Sequence, residues 1–322
     1  MSILVTGGCG FIGSNFVRRY TSLYDDRMMV VDALTYAANK QNIEGTGAIL
    51  AVGNIASKEF IEPLIRNFRP KTIVNFAAES HVDNSIRDSK PFVYSNVLGT
   101  VNLLDTVLRV DPSIRFVHVS TDEVYGSLSS SDPAFTEETP YDPRSPYSAS
   151  KAASDHFVMA YHHTHGLDTV ITNCSNNYGP YQHAEKFVPT VIRRALKNEP
   201  IPVYGKGSNI RDWLYVEDHC QALLEVIERG RTGHKYNIGG GCQINNLFLA
   251  NLIVDMCRSA SKIEFVTDRK GHDFRYDVSY DKIHLELGWK PDTSLIPGME
   301  KTIQWYRQNM EWFELCVPSA SS

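Results

Sequence analysis

The first two dozen residues leave few folds open to this chain. A short apolar run, Ile3-Leu4-Val5-Thr6, passes directly into Gly7-Gly8-Cys9-Gly10-Phe11-Ile12-Gly13, and a helical pattern follows over 14–24. A strand that enters a helix through closely spaced glycines suits a turn whose backbone must lie against something else. The alternation then repeats. Met28-Met29-Val30-Val31 ends on Asp32, and further strand candidates lie at 48–52, 72–76, 115–120 and 169–172. Helical patterns separate them, notably 91–109, with Pro91 in its first turn, and 147–164. Short apolar strands alternating with helices predict a parallel sheet covered on both faces.

After Asn173 the pattern changes. Asn176-Asn177-Tyr178-Gly179-Pro180-Tyr181 and Pro200-Ile201-Pro202-Val203-Tyr204-Gly205 are rich in turn formers and aromatics, and a last helix is expected over 297–310, with a frayed tail at 318–322. The expectation is an α/β protein. A Rossmann-type doubly wound parallel sheet occupies residues 1–173 as an NAD-binding domain, and a smaller C-terminal substrate-binding domain occupies 174–322, with some of its segments returning to the sheet. Gly8-x-Gly10-x-x-Gly13 between strand and helix is the dinucleotide fingerprint. Its glycines permit a tight turn and close approach to a pyrophosphate at the helix N-terminus. Nineteen residues past Gly13, Asp32 can accept from both ribose hydroxyls, which favours NAD over NADP.

Composition excludes several alternatives. A net charge of −5 argues against nucleic acid or an anionic membrane as partner. No apolar run approaches a membrane span, and the strand at Ile3 leaves no room for a signal peptide. Six scattered cysteines without a C-x-x-C spacing read as reduced thiols of a cytoplasmic protein. His162, His163 and His165 close a helix, where cationic side chains suit the dipole; no metal site is expected of them.

The chemistry concentrates in two stretches. Ser120-Thr121-Asp122-Glu123-Val124-Tyr125-Gly126 follows the buried-strand pattern Phe116-Val117-His118-Val119. Adjacent carboxylates at the end of such a strand cost desolvation and repel each other. An acid and a base held apart in pKa can act on neighbouring substrate atoms, which gives the pair a purpose. Tyr147-Ser148-Ala149-Ser150-Lys151 places tyrosine and lysine on one helix face. With 16 tyrosines in the chain a Tyr-x-x-x-Lys spacing also arises by chance, as at Tyr36/Lys40, which lacks both a helical pattern and an upstream acid pair. The Lys151 ammonium, with the nicotinamide charge, is expected to lower the phenol's pKa and make Tyr147 a base.

These motifs resemble those of the extended short-chain dehydrogenase/reductases and, within them, the dTDP-glucose 4,6-dehydratases. Matching stretches run nearly end to end: Leu34-Thr35-Tyr36-Ala37, Ala77-Ala78-Glu79-Ser80-His81-Val82-Asp83, 120–126, 145–151, 175–181, Glu185-Lys186, Arg211-Asp212-Trp213, Tyr236-Asn237-Ile238-Gly239-Gly240, Arg269-x-Gly271-His272-Asp273 and Leu287-Gly288-Trp289. Thr121, Asp122 and Glu123 discriminate best, because the related epimerases lack the acid pair. The resemblance implies catalysis by Thr121, Asp122, Glu123, Tyr147 and Lys151. Tyr147 takes the sugar 4-hydroxyl proton, Thr121 bonds the developing ketone, Glu123 removes the C5 proton and Asp122 protonates the departing 6-hydroxyl. It implies NAD contacts at Gly7, Gly10, Phe11, Ile12, Gly13, Asp32, Ala33, Leu34, Thr35, Asn54, Ile55, Phe76, Ala77, Ala78, Glu79, Ser80, Ser95, Tyr147, Lys151 and Asn177. Nucleotide-sugar contacts are implied at Ser80, Thr121, Asn176, Lys186, Phe187, Pro202, Val203, Tyr204, Arg211, Asn246, Arg269 and His272. Homodimers are common in the family. The 147–164 helix is apolar on more than one face, as burial by both sheet and partner subunit requires.

This chain departs from the family pattern at Asn54 (usually Asp), Ser95 (usually Thr), Lys270 (usually Pro) and Cys242. These bear on the preferred nucleotide or sugar, so a UDP-sugar 4,6-dehydratase remains an alternative, as do a 4-epimerase or decarboxylase on the same fold. A non-catalytic NAD sensor would leave the acid pair unexplained. His81 and Asp83 are either structural or supports for the site. Trp289, Trp305, Tyr306, Trp312 and Phe313 are expected in the core.

Overall fold

The computed structural model describes residues 2–316. Twelve strands are formed: β1 (Ser2–Thr6), β2 (Arg27–Asp32), β3 (Ile49–Val52), β4 (Thr72–Asn75), β5 (Arg115–Thr121), β6 (Thr169–Cys174), β7 (Asn176–Tyr178), β8 (Ile201–Tyr204), β9 (Ile210–Tyr215), β10 (Lys235–Ile238), β11 (Gln243–Asn245) and β12 (Ile263–Val266). Seven make one sheet in the order β10-β6-β5-β4-β1-β2-β3, every pair parallel. The order reverses at β1/β4, and in such sheets ligands bind beyond the carboxyl ends at that crevice. β11-β9-β7 and β12-β8 form two smaller sheets, the first mixed and the second parallel.

The expected strands and helices are present with shifted ends. The first helix begins at Phe11 rather than Ser14, and the last spans Leu295–Gln308, with a short helix, Met310–Leu315, behind it. The 91–109 helix is continuous in direction but is built as Lys90–Phe92, a π-helical turn at Val93–Leu98, and Gly99–Val110. The expected tail at 318–322 lies outside the described residues.

Both faces of the large sheet are covered by apolar side chains. On one, Val5, Phe16, Val17, Leu223 and Val226 pack with β10 residues Tyr236 and Ile238. On the other, Leu4, Ile61, Ile65, Leu103, Leu104 and Val158 pack together. Each large side chain so buried contributes about 1.5–3 kcal/mol of transfer free energy. Tyr306, Trp312 and Phe313 are buried in a separate core under the smaller sheets, with Trp305 packed against it, while Trp289 belongs to the sheet core. No helix among the described residues is long and apolar enough to cross a membrane.

Candidate active site

Two cavities meet above the carboxyl ends of the large sheet. The first, about 320 Å³, runs from the glycine turn past Asp32 to Tyr147 and Lys151. The second, about 380 Å³, lies between the large sheet and the smaller ones. Ser80, Glu123, Asn176 and Lys186 line both. Each volume is that of an ordinary ligand pocket.

The glycine turn is a cradle that side chains would fill. Gly7 has φ +67, and a Cβ there would sit 2.7 Å from the Ala77 nitrogen; one on Gly13 would run into the Gly7 carbonyl oxygen. Gly8 is different: its Cβ would meet Val30 of β2, and it does not line the cavity. The glycines facing the ligand space are therefore Gly7, Gly10 and Gly13, which corrects the spacing read from the sequence. Asp32 closes this end. Its carboxylate accepts from the Cys9 and Leu34 amides at 2.9 and 2.8 Å, and burial raises its pKa. Each oxygen retains a lone pair for a hydroxyl donor.

The catalytic end forms where β5 stops. Thr121 ends the strand and Asp122–Tyr125 make one 3₁₀ turn. Opposite, the Pro146–His165 helix starts from a reciprocal cap in which the Ser145 hydroxyl accepts from the Ser148 amide (3.1 Å) and the Ser148 hydroxyl accepts from the Ser145 amide (3.0 Å). That cap places Tyr147 in the helix's first turn, over the turn after β5.

The two carboxylates sit in unequal surroundings. Asp122 is 2% exposed, and its Oδ2 has no hydrogen-bond partner. Burial, then the Glu123 and Asp212 charges, hold it well above the usual carboxylate range, which favours its protonated form. Glu123 is also raised by burial, but Arg211 and Lys186 pull it back toward the charged form. The pair is thus separated into a proton donor and a proton acceptor.

Burial governs Tyr147 in the protein itself. Burial and then the Glu123 charge hold its phenol well above its ordinary range, with the Thr121 hydroxyl acting the other way. The Lys151 ammonium, one turn along the helix, donates to the Val119 carbonyl at 2.9 Å. Cys174, next to this group, is a thiol pushed up to about 12 by burial, and is inert.

Side chains from distant parts of the chain build the second cavity. Arg269 pairs with Asp83 at 2.6 Å and lies over the Tyr204 ring. Arg211 donates to the Asp273 carbonyl at 3.0 Å, and its guanidinium lies 4.2 Å from the Tyr276 ring centre. Lys186 donates to the Ser80 carbonyl at 2.8 Å, and His272 faces Asp268 at 2.7 Å. Burial lowers the His81 and His183 imidazoles to about 4, leaving them neutral.

All the expected dinucleotide residues except Leu34 line the first cavity. Leu34 has φ +50, offers its amide to Asp32 and packs against the sheet core, so it shapes the turn without facing the ligand space. Among the expected sugar-side residues Thr121 lines the first cavity, Ser80, Asn176 and Lys186 line both, and Phe187, Pro202, Tyr204, Arg211, Asn246, Arg269 and His272 line the second. Val203 lines neither. It is 1% exposed in the smaller core, because alternate residues of β8 face opposite ways. Asp83 is a support, bracing Arg269, and His81 lines the second cavity. Tyr276 went unnoticed in the sequence, and no local pattern marks it. Tyr36 of the decoy pair bonds Glu185, and Lys40 opens a 3₁₀ turn. His162 bonds the Leu167 carbonyl; among the described residues no three metal-ligating side chains converge.

A parallel sheet with a glycine cradle at one end of its crevice and a Tyr/Lys helix at the other defines a class, the extended short-chain dehydrogenase/reductases. Residues 4–302 match the family model described as GDP-mannose 4,6 dehydratase. A dTDP-glucose 4,6-dehydratase of Actinoplanes sp. is 47% identical over 327 residues, spanning 97% of this chain and 100% of its own. One from Haemophilus influenzae is 44% identical over 333 residues, spanning 96% and 98%. The crystal structure of the Streptomyces venezuelae dTDP-glucose 4,6-dehydratase, with NAD and TYD bound, is similar with a TM-score of 0.94 at 42% identity, covering 98% of this chain and 100% of that one. The chain belongs to the dTDP-glucose 4,6-dehydratase family.

Proposed function

We propose that this protein converts dTDP-glucose to dTDP-4-keto-6-deoxyglucose, with NAD held in the first cavity and the nucleotide sugar in the second. The observation that carries the reading is the unequal acid pair at the junction of the cavities: an Asp122 favoured in its protonated form beside a Glu123 faced by Arg211 and Lys186. The cradle at Gly7 and Gly13 and the lone pairs of Asp32 fit a dinucleotide. NAD supplies a hydride acceptor for C4 and returns the hydride to C6.

The chain's own groups move the protons. Tyr147 takes the proton of the sugar 4-hydroxyl while Thr121 donates to the forming ketone oxygen. That ketone acidifies C5, and Glu123 removes the C5 proton. Asp122 donates its proton to the 6-hydroxyl, which leaves as water. The C5–C6 double bond so formed accepts hydride at C6, and a proton returns to C5. Arg211 and Arg269 suit a diphosphate.

Residues 1–173 act as the dinucleotide domain and 174–322 as the sugar domain in this reading, and the protein is a cytoplasmic homodimer. Support for the dimer comes from Ile86, Val93, Tyr94, Leu98 and Phe157. These are large apolar side chains at least 41% exposed on helical stretches that pack together. The cytoplasm fits six cysteines that are all free thiols. Incubation with dTDP-glucose deuterated at C4 tests the chemistry. Loss of water with the label at C6 is expected. Epimerisation without mass change, or no reaction, would each replace the reading by a rival, and faster turnover of UDP-glucose would change the nucleotide.

A further inference from the structure

Tyr147, Lys151 and Asp155 follow at intervals of four along the Pro146–His165 helix and so share a face. Tyr147 and Lys151 line the cavity; Asp155 lies behind them, 1% exposed. Its Oδ2 accepts from the Ser120 and Tyr141 hydroxyls, each at 2.9 Å, and from the Asn173 amide at 3.2 Å. Its Oδ1 faces His118 Nε2 at 3.4 Å, and the same nitrogen stands 3.5 Å from Lys151 Nζ.

The imidazole between the two charges has a defined proton. Thr6 donates its hydroxyl to Asn75 Oδ1 at 2.6 Å, which orients that amide. The amide nitrogen then donates to His118 Nδ1 at 3.1 Å, so the His118 proton is on Nε2, directed at Asp155 and Ser154. A neutral, fully buried imidazole therefore donates to Asp155 and only neighbours the Lys151 ammonium, and both charged groups lie within 3.5 Å of its Nε2.

We propose that Asp155, by the charge it holds one helical turn from Lys151, is the positioning residue that keeps Lys151 cationic beneath the reacting Tyr147. The proposal rests on reading Tyr147 and Lys151 as the oxidising pair. A buried ammonium tends to lose its proton, and burial does depress that of Lys151; the charge of Asp155 is the leading opposing influence. The titratable and charged groups around the pair are His118 from β5, Tyr125 from the following turn, Tyr141 from the loop, Cys174 from β6, Lys235 from β10 and Tyr147 on the helix itself. Of these only Lys235 is normally charged at neutral pH, and its ammonium lies 4.9 Å from the Tyr141 ring centre. No second anion among them could replace Asp155.

The test is Asp155→Asn, followed by the rate of cofactor reduction in a single turnover across pH. Oxidation needs Tyr147 deprotonated and Lys151 protonated, so its profile is a bell. In the variant the alkaline limb moves down by about one pH unit or more, and the rate near neutral pH falls by about tenfold. Asp155→Glu keeps the wild-type limb. A loss equal at every pH, with the limb unmoved, overturns the proposal. Melting temperature gives an independent readout. Adding Lys151→Met to Asp155→Asn removes the unpaired cation, so the double variant melts above Asp155→Asn alone; additive destabilisation overturns the proposal even where Asp155→Asn folds poorly. If Lys151→Met alone leaves oxidation unchanged, the oxidising-pair reading has failed instead.

Discussion

The two cavities are built in opposite ways. The dinucleotide side is walled by strand ends and small residues, such as Gly7, Gly10, Ala33, Ala77 and Ala78, whose backbone is fixed by the parallel sheet. The sugar side is walled by long side chains held by one another across the chain: Arg269 by Asp83, Lys186 by Ser80, Arg211 by Asp273. The first is shaped by what is absent, the second by cations that already have protein partners. A diphosphate entering the second cavity must share Arg269 with a carboxylate.

Four measurements would sharpen or break this contrast. The largest effect belongs to the junction. Asp122→Asn should lower product formation by about 10²–10⁴, the value of a general acid. Oxidation at C4 needs neither carboxylate, so reduced cofactor should build up on adding substrate; normal turnover would remove Asp122 from the elimination. Next is the cradle. Gly13→Ala puts a methyl group against the Gly7 carbonyl, and the purified variant should retain at least about tenfold less NAD than wild type, whereas full retention would mean the turn is not a pyrophosphate site. A smaller effect is expected across the sugar cavity. Asp83→Asn removes an anion from beside Arg269, so if Arg269 holds the diphosphate KM for dTDP-glucose should fall by about two- to fivefold. A rise in KM would show that Asp83 orients Arg269 more than it competes for it.

The smallest effect is on stability. The folded-state pKa of Asp122 is raised, so folding takes up a proton above the unfolded value near 4. Wild-type stability should then fall as pH rises toward the folded pKa, by at most about 1.4 kcal/mol per pH unit. Asp122→Asn lacks this slope, and its melting temperature should gain on wild type as pH increases. Parallel curves would mean that the carboxyl titrates normally.

The contrast between the cavities also explains what could be read from the residues alone. The turn at 7–13, Asp32, the acid pair and the Tyr/Lys helix are each local, so their spacing carries them. Leu34 and Val203 stand apart from the cavity linings, because neighbours in a contiguous stretch need not share a surface. Alternation along β8 sends Pro202 and Tyr204 to the cavity and Val203 to the core. The direction of the Lys151 ammonium depends on the Val119 carbonyl, a tertiary partner that no spacing announces. Tyr276 depends on how the chain after His272 passes under Arg211. Such contacts join residues 32 or more positions apart, beyond the reach of any periodicity.

The seventh strand has a consequence for how the protein is made. β10 pairs in parallel with β6, although the chain between them has already built β7, β8, β9 and the Val216–Arg229 helix, which packs on the first helix, Phe11–Leu23. A chain emerging from the ribosome in order therefore carries a six-stranded sheet with a bare edge at β6 and an uncovered face until residue 238 is free. Such an edge pairs readily with other strands. Synthesis halted at residue 173 should yield aggregation-prone material, and the dinucleotide half, first to be translated, is among the last parts to be sealed.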